Sequence, residues 1–188
     1  MDTALRAGVA VLERSVAYCL GSVSLVAPPM LGRPTPCAGW SLRDLLEHLI
    51  DSMAALEEAV ATGRVTMTPP AEAGDVLPRV RERASRLLGA WAHACGASLV
   101  RVEQAHLSTP LVAGAGAIEI AVHGWDVARS CGADRPIPAD LADELLDLAV
   151  VLIRAGDRPG RFGRPVRVPG DAPPPGDQLL AFLGRTPG

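Results

Sequence analysis

Two histidines and a glutamate are the residues of this 188-residue chain whose types and spacing could do chemistry: His48, Glu119 and His123. Glu119 and His123 stand four residues apart in the stretch AIEIAVHGWDVARS, which runs from Ala117 to Ser130. At about 100° per residue on a helix, Glu119, His123, Asp126 and Ser130 fall along one side of an otherwise apolar cylinder. A carboxylate buried there without a partner is costly and would neutralise. Either a divalent ion shared with His123, one turn away, compensates it, or a plain hydrogen bond between the two does. His48 offers a third donor. It sits at the margin of a leucine stripe on an earlier segment, where a side chain reaches into a cleft between helices. Two His and one Glu leave coordination positions open to water or substrate, the pattern of a catalytic metal site. Zn²⁺ suits this set best, and the same donors serve Ni²⁺, Fe²⁺ or Mn²⁺.

The neighbours of these residues have plainer readings. Asp44 lies one turn before His48 and is read first as a helix-capping acid, with an orienting contact to the imidazole as the alternative. Asp126 either braces a loop, pairs with Arg129 or touches the ligand set. Trp40 and Trp125 read as staple or core residues before substrate platforms, and His93 and His106 as surface or loop residues. Glu47, the candidate base for a metal-dependent hydrolase, points about 100° away from His48, and no HExxH pattern is present.

Helices must position the three donors. Apolar residues at helical spacing predict a first helix over residues 3–26, followed by a loop enforced by Pro28, Pro29, Pro34 and Pro36. Ser41 with Asp44 reads as a capping box opening a second helix, with Trp40 and Leu45 as its staple and Pro69 and Pro70 closing the segment. A third helix is expected over 75–95, a short extended piece within 96–110, and a buried fourth helix over 111–130. Pro138 opens a fifth, with Leu141, Leu145, Leu148 and Val151 facing inward and Gly156 as its stop. Residues 157–175, rich in Pro, Gly and Arg, read as loop or a short strand at Val166–Val168, before a last helical turn from Gln178 to Leu183. This divides the chain into a bundle carrying the site, 1–156, and a C-terminal segment, 157–188, packing on it.

Composition bounds the function. With 48% hydrophobic and only 3% aromatic residues, the core is Leu, Val and Ala, which suits an all-α fold. All 18 basic residues are Arg, so no lysine is present for Schiff-base or phosphate-loop chemistry. A net charge of −3 with scattered Arg speaks against a nucleic-acid surface. The apolar run Leu148–Ile153 is too short for a bilayer, and Asp2, Glu13 and Arg14 break any secretory signal. The widely spaced Cys19, Cys37, Cys95 and Cys131 read as reduced thiols, so the protein is expected in the cytoplasm and away from membranes.

Three stretches carry a family resemblance: TPCAGWSLRDLLEHL from Thr35 to Leu49, EIAVHGWDVA from Glu119 to Ala128, and DQLLAFLGRTP from Asp177 to Pro187. Together they resemble the mycothiol-dependent maleylpyruvate isomerase family of the DinB-like metalloprotein superfamily, across essentially the whole chain. The resemblance implies a four-helix up-down-down-up bundle with a long crossover, a metal held by His48, Glu119 and His123, and mycothiol as thiol cosubstrate. It implies isomerisation or S-transfer on a small-molecule electrophile. Isomerases of this family with known activity carry a further C-terminal domain that is missing here, so the tail must complete the pocket, with Arg185 holding a substrate carboxylate near the metal. The alternatives are a non-catalytic metal-binding interaction or regulatory module and a metal-dependent hydrolase. A homodimer formed through an exposed helix face is compatible with such a bundle.

Overall fold

Leucines, valines and alanines recurring every three or four residues become six α-helices among the described residues, with one small sheet. A computed structural model describes residues 3–66, 74–94, 99–102, 104–158 and 162–187. The helices are α1 (Thr3–Val23), α2 (Leu42–Thr62), α3 (Val76–Ala92), α4 (Thr109–Ser130), α5 (Ala139–Leu152) and α6 (Pro175–Phe182). Strands β1 (Arg64–Val65), β2 (Leu99–Val102) and β3 (Ala105–Ser108) form the sheet, with β1 and β2 parallel and β2 and β3 antiparallel. Cys95, Asp2 and the Pro69–Pro70 stop lie outside the described residues, as do residues 96–98 of the expected extended piece; β2 and β3 occupy much of the rest. The chain forms two compact units, Met1–Arg135 and Pro136–Gly188.

In the first unit α1 packs on α4, α4 on α2, α2 on α3, and α3 back on α1, so the four helices close a ring. The all-α, DinB-like architecture expected from the sequence is the one observed. α4 is the buried member. It is long and apolar enough to cross a membrane by length and composition, yet most of it is buried inside the fold as a core helix. Close approach is bought with glycine: a Cβ on Gly124 would stand 2.9 Å from Cys19 Cα on α1, and one on Gly116 would stand 2.5 Å from Leu56 Cδ1 on α2. Cys19 is fully buried, and burial pushes its thiol up to about 12.

α2 starts where the sequence placed it. Ser41 Oγ accepts from Asp44 N, the Asp44 carboxylate accepts from Ser41 N at 2.9 Å, and the capping box is complete. It ends at Gly63, whose φ of 70° suits a left-handed cap that leads directly into β1. Along α2 and α3, Arg79 pairs with Glu47 and both Arg83 and Arg86 pair with Glu57. The fully buried Trp91 donates Nε1–H to the Leu56 carbonyl at 3.1 Å. α1 stops at Val23, three residues before the expected end, and its C-terminal turns are held by Arg135, whose guanidinium donates to the Tyr18 carbonyl and Ser22 Oγ.

In the second unit the helix α5 ends at Leu152, and Gly156 belongs to a separate 3₁₀ turn. Its buried face is Leu141, Ala142, Leu145 and Ala149; Val151 is 67% exposed, contrary to the inward position expected for it. The reason is angular, since Val151 lies about 200° round the helix from Ala149. Val166–Val168 forms no strand. Val166 N instead donates to the Ala181 carbonyl on α6, and Arg158 spans from the Gly163 carbonyl to the Phe182 carbonyl.

The glycine contacts separate two substitutions. Gly124→Ala drives a methyl against the α1 backbone and is expected to cost about 1–3 kcal/mol. Gly116→Ala meets only the flexible end of Leu56 and gains helix propensity of about 1 kcal/mol, so it should fall near wild type. Denaturant midpoints of the two variants check this, and equal losses would contradict the packing described.

Candidate metal centre

His48 and Glu119 are 71 positions apart in sequence and meet because α2 packs on α4. The capping box fixes where α2 starts, and His48 follows one turn after Asp44. Ser52, one turn further, shares that face. Glu119 and His123 project from α4 at i and i+4. His48 Nε2 lies 2.7 Å from Glu119 Oε1, and His123 Nε2 lies 3.2 Å from the same oxygen. Ser52 Oγ donates to it at 3.2 Å. One donor atom from each of His48, Glu119 and His123 lies within 4.8 Å of the others. The side chains of His48 and Glu119 are 37% and 30% exposed while that of His123 is 9% exposed, so the cluster is closed behind His123 and reachable from the His48 side.

The electrostatics follow from one carboxylate facing two imidazoles. Burial by itself would raise Glu119, but hydrogen bonds and charge from His123 and His48 outweigh it and hold the carboxyl well below the usual range. Burial by itself would lower His123, but its bonds to Asp126, Cys37 and Glu119 outweigh that and hold it well above. A divalent cation fits the same point. Two imidazole nitrogens and a carboxylate oxygen are ordinary ligands for it, and its charge would compensate Glu119 in place of the imidazolium proton.

Several neighbours are placed more sharply than the sequence allowed. Asp126, fully buried, accepts from His123 Nδ1 at 2.9 Å, so it touches the ligand set, and it also meets the loop before α2 through Cys37. With Nδ1 turned to Asp126, Nε2 is the nitrogen that faces Glu119. Asp44 bonds only Ser41 among the described residues, which makes it the capping acid. Trp40 is 36% exposed and its ring centroid lies 4.8 Å from that of His48 and 6.3 Å from that of His123, so it borders the site. Trp125 is buried and stacks with Arg129. Both Glu47 oxygens accept from Arg79 at 2.8 Å, which removes the one general base a hydrolase reading had. His93 and His106 are exposed and away from the cluster's donor set. Arg185 belongs to the second unit, just after α6, where its Nη1 donates to the Leu183 carbonyl at 3.3 Å.

Two residues were missed. Ser52 was discoverable as the i+4 neighbour of His48. Cys37 was not: its Sγ donates to Asp126 Oδ2 at 3.4 Å from 89 positions away. The loop that carries it is pinned by the bridge between Pro34 and Ser41 and by Arg33, whose Nη1 donates to the Cys131 carbonyl at 3.2 Å beyond the end of α4.

Comparison with known proteins supplies the wider setting. Residues 12–128 match the family model described as mycothiol maleylpyruvate isomerase N-terminal domain. An uncharacterised protein of Mycobacterium tuberculosis is 29% identical over 164 residues, covering 86% of this chain and 88% of its own, with the same values in two strains. The crystal structure of the mycothiol-dependent maleylpyruvate isomerase superposes with a TM-score of 0.61 at 18% identity, over 76% of this chain and 69% of that one. At that identity the likeness speaks for the fold.

The opposed shifts of Glu119 and His123 make a pH prediction for metal-free protein. Glu119, held low, contributes stability above its ordinary 4.5 that is lost as pH falls through its folded value. His123, held high, contributes stability below its ordinary 6.5 that is lost as pH rises through its folded value. Chelator-treated protein should therefore keep both contributions between pH 4.5 and 6.5 and weaken above it. Denaturant unfolding across pH should show this alkaline decline in wild type and a flatter curve in His123→Gln; identical curves would contradict the assignment.

Proposed function

The chain belongs to the mycothiol maleylpyruvate isomerase N-terminal domain family, and on that premise we propose that it is a metal-dependent enzyme that uses a low-molecular-weight thiol. The thiol is mycothiol, and the reaction is isomerisation of, or S-transfer to, a small electrophile. The observation that carries this reading is the meeting of His48, Glu119 and His123 from two helices at one point with a solvent-reachable side. Those three residues would hold one divalent ion, Zn²⁺ by preference. Bound there, the ion would supply Lewis-acid chemistry that favours the thiolate form of a thiol at the site.

The chain's own residues do the rest. Asp126 holds the His123 ring by Nδ1, and Ser52 holds Glu119 Oε1, so two donors arrive with their geometry set. Trp40 walls the exposed side beside His48 and gives an apolar surface against which an unsaturated substrate can lie. Arg185 would hold a carboxylate of the substrate. The thiolate adds to one carbon of a C=C bond conjugated to a carbonyl, and the π electrons move onto the carbonyl oxygen as an enolate. Rotation about the resulting single bond, followed by return of the enolate electrons and expulsion of the thiolate, re-forms the double bond as the isomer, whereas protonation of the enolate by solvent leaves an S-conjugate. The engagement of Glu47 by Arg79 disfavours the hydrolase alternative. This chemistry fits a cytoplasmic protein acting on small molecules.

Cobalt-substituted protein titrated with mycothiol should develop a thiolate-to-cobalt charge-transfer band, and no band at saturating thiol would sink the thiol reading. Arg185→Gln should leave metal content unchanged and raise KM for a carboxylate-bearing electrophile by about 10- to 100-fold, the size of a lost charge-assisted hydrogen bond. An unchanged KM would remove Arg185 from the site.

A further inference from the structure

The loop residue Cys37 plays no part in that reading, yet its surroundings are specific. Its Sγ lies 3.4 Å from Asp126 Oδ2 and 3.8 Å from His123 Nδ1. That same Oδ2 accepts from His123 Nδ1 at 2.9 Å. One oxygen of a fully buried carboxylate is thus shared by the thiol and the imidazole. The thiol is itself held by the loop: Cys37 N donates to Thr35 Oγ1 at 3.1 Å, and Trp40 N donates to the Cys37 carbonyl at 3.0 Å. Arg33 ties the loop to the carbonyls at the end of α4, the helix that carries both His123 and Asp126.

We propose that Cys37 is a positioning residue for the metal centre: its S–H fixes the Asp126 carboxylate, which in turn fixes the His123 ring with Nε2 toward Glu119. The inference rests on the metal reading above for its effect on affinity, but the relay itself does not need the ion. A second shared carboxylate donor limits the rotation of Asp126 about its terminal bond, and so limits the tilt of His123. Partners of ligating histidines commonly set ring orientation and metal affinity in this way. The residue acts through Asp126 and His123. It is not a ligand of an ion held by His48, Glu119 and His123, because it meets His123 at Nδ1, on the side of the ring turned away from Glu119; Cys37, His123 and Asp126 form a separate donor set on that other side.

The test compares wild type with Cys37→Ser, Cys37→Ala and Asp126→Asn. Zinc affinity is measured by chelator competition, and the His123 Nδ1–H proton resonance is followed with and without zinc. Asp126→Asn should weaken zinc by about 10- to 100-fold. Cys37→Ala, which removes a weaker and more remote bond, should weaken it by about 3- to 10-fold. Cys37→Ser, which keeps a donor and carries little risk to folding, should hold both the affinity and the slowly exchanging Nδ1–H signal, while Cys37→Ala shifts that signal and speeds its exchange. An unchanged affinity and resonance in Cys37→Ala would overturn the proposal. So would two equivalents of zinc in wild type and one in Cys37→Ala, since Cys37 would then be a ligand. If wild type binds no zinc, the metal reading fails by itself, and the resonance in the metal-free protein still decides whether the relay exists.

Discussion

A carboxylate set on the most buried helix of the bundle needs compensation from outside that helix, and much of the first unit is arranged to give it. Glu119 cannot turn to water over most of its surface, because α4 is packed by α1 and α2. Its partners are therefore His48 and Ser52 from α2 and His123 from the next turn of α4. Removing His123, the most buried of them, takes away the charge that best compensates the carboxylate. The placement of α2 against α4 is in that sense dictated by the charge as well as by leucine packing.

The constraint extends outward. α2 must start at a fixed residue for His48 to reach Glu119, and the Ser41–Asp44 box fixes it. α4 must lie close to the α1 backbone, which is why glycine stands at position 124. The ion pairs of α3 with Glu47 and Glu57 hold the outer face of α2 and leave its inner face to leucines and to the site. An energetic tension remains at the centre. Without metal, Glu119 and His123 satisfy each other as a charged pair, so an incoming cation has to replace a proton on His123. The buried Asp126 moderates this by remaining on Nδ1 in either state.

The sequence made the helices and the three donors legible because their signals are local and periodic. A glutamate four residues before a histidine on an apolar helix is visible without a structure, and so is a capping box. His48 is legible from its place at the margin of the leucine stripe, and the family resemblance points to the same three residues. Cys37 was invisible as a participant, since its partner is 89 positions away and a thiol beside proline reads as an ordinary loop residue. Trp40 reads as a staple because its place before the N-cap is the usual one, and the structure adds that its ring lies against His48. Hydrophobicity alone places Val151 inward on α5, whereas its angular position leaves it exposed. Strands as short as β1, two residues long, leave no period to detect.

Everything proposed about chemistry depends on one ion being held by His48, Glu119 and His123. The most direct test is elemental mass spectrometry on untagged protein, comparing wild type with His123→Ala. The account predicts close to one equivalent of a divalent metal in wild type and its loss in the variant. A wild type that is empty as purified and takes up neither added Zn²⁺ nor Ni²⁺ would contradict it, and would leave Glu119 and its two histidines as a partly buried hydrogen-bonded cluster.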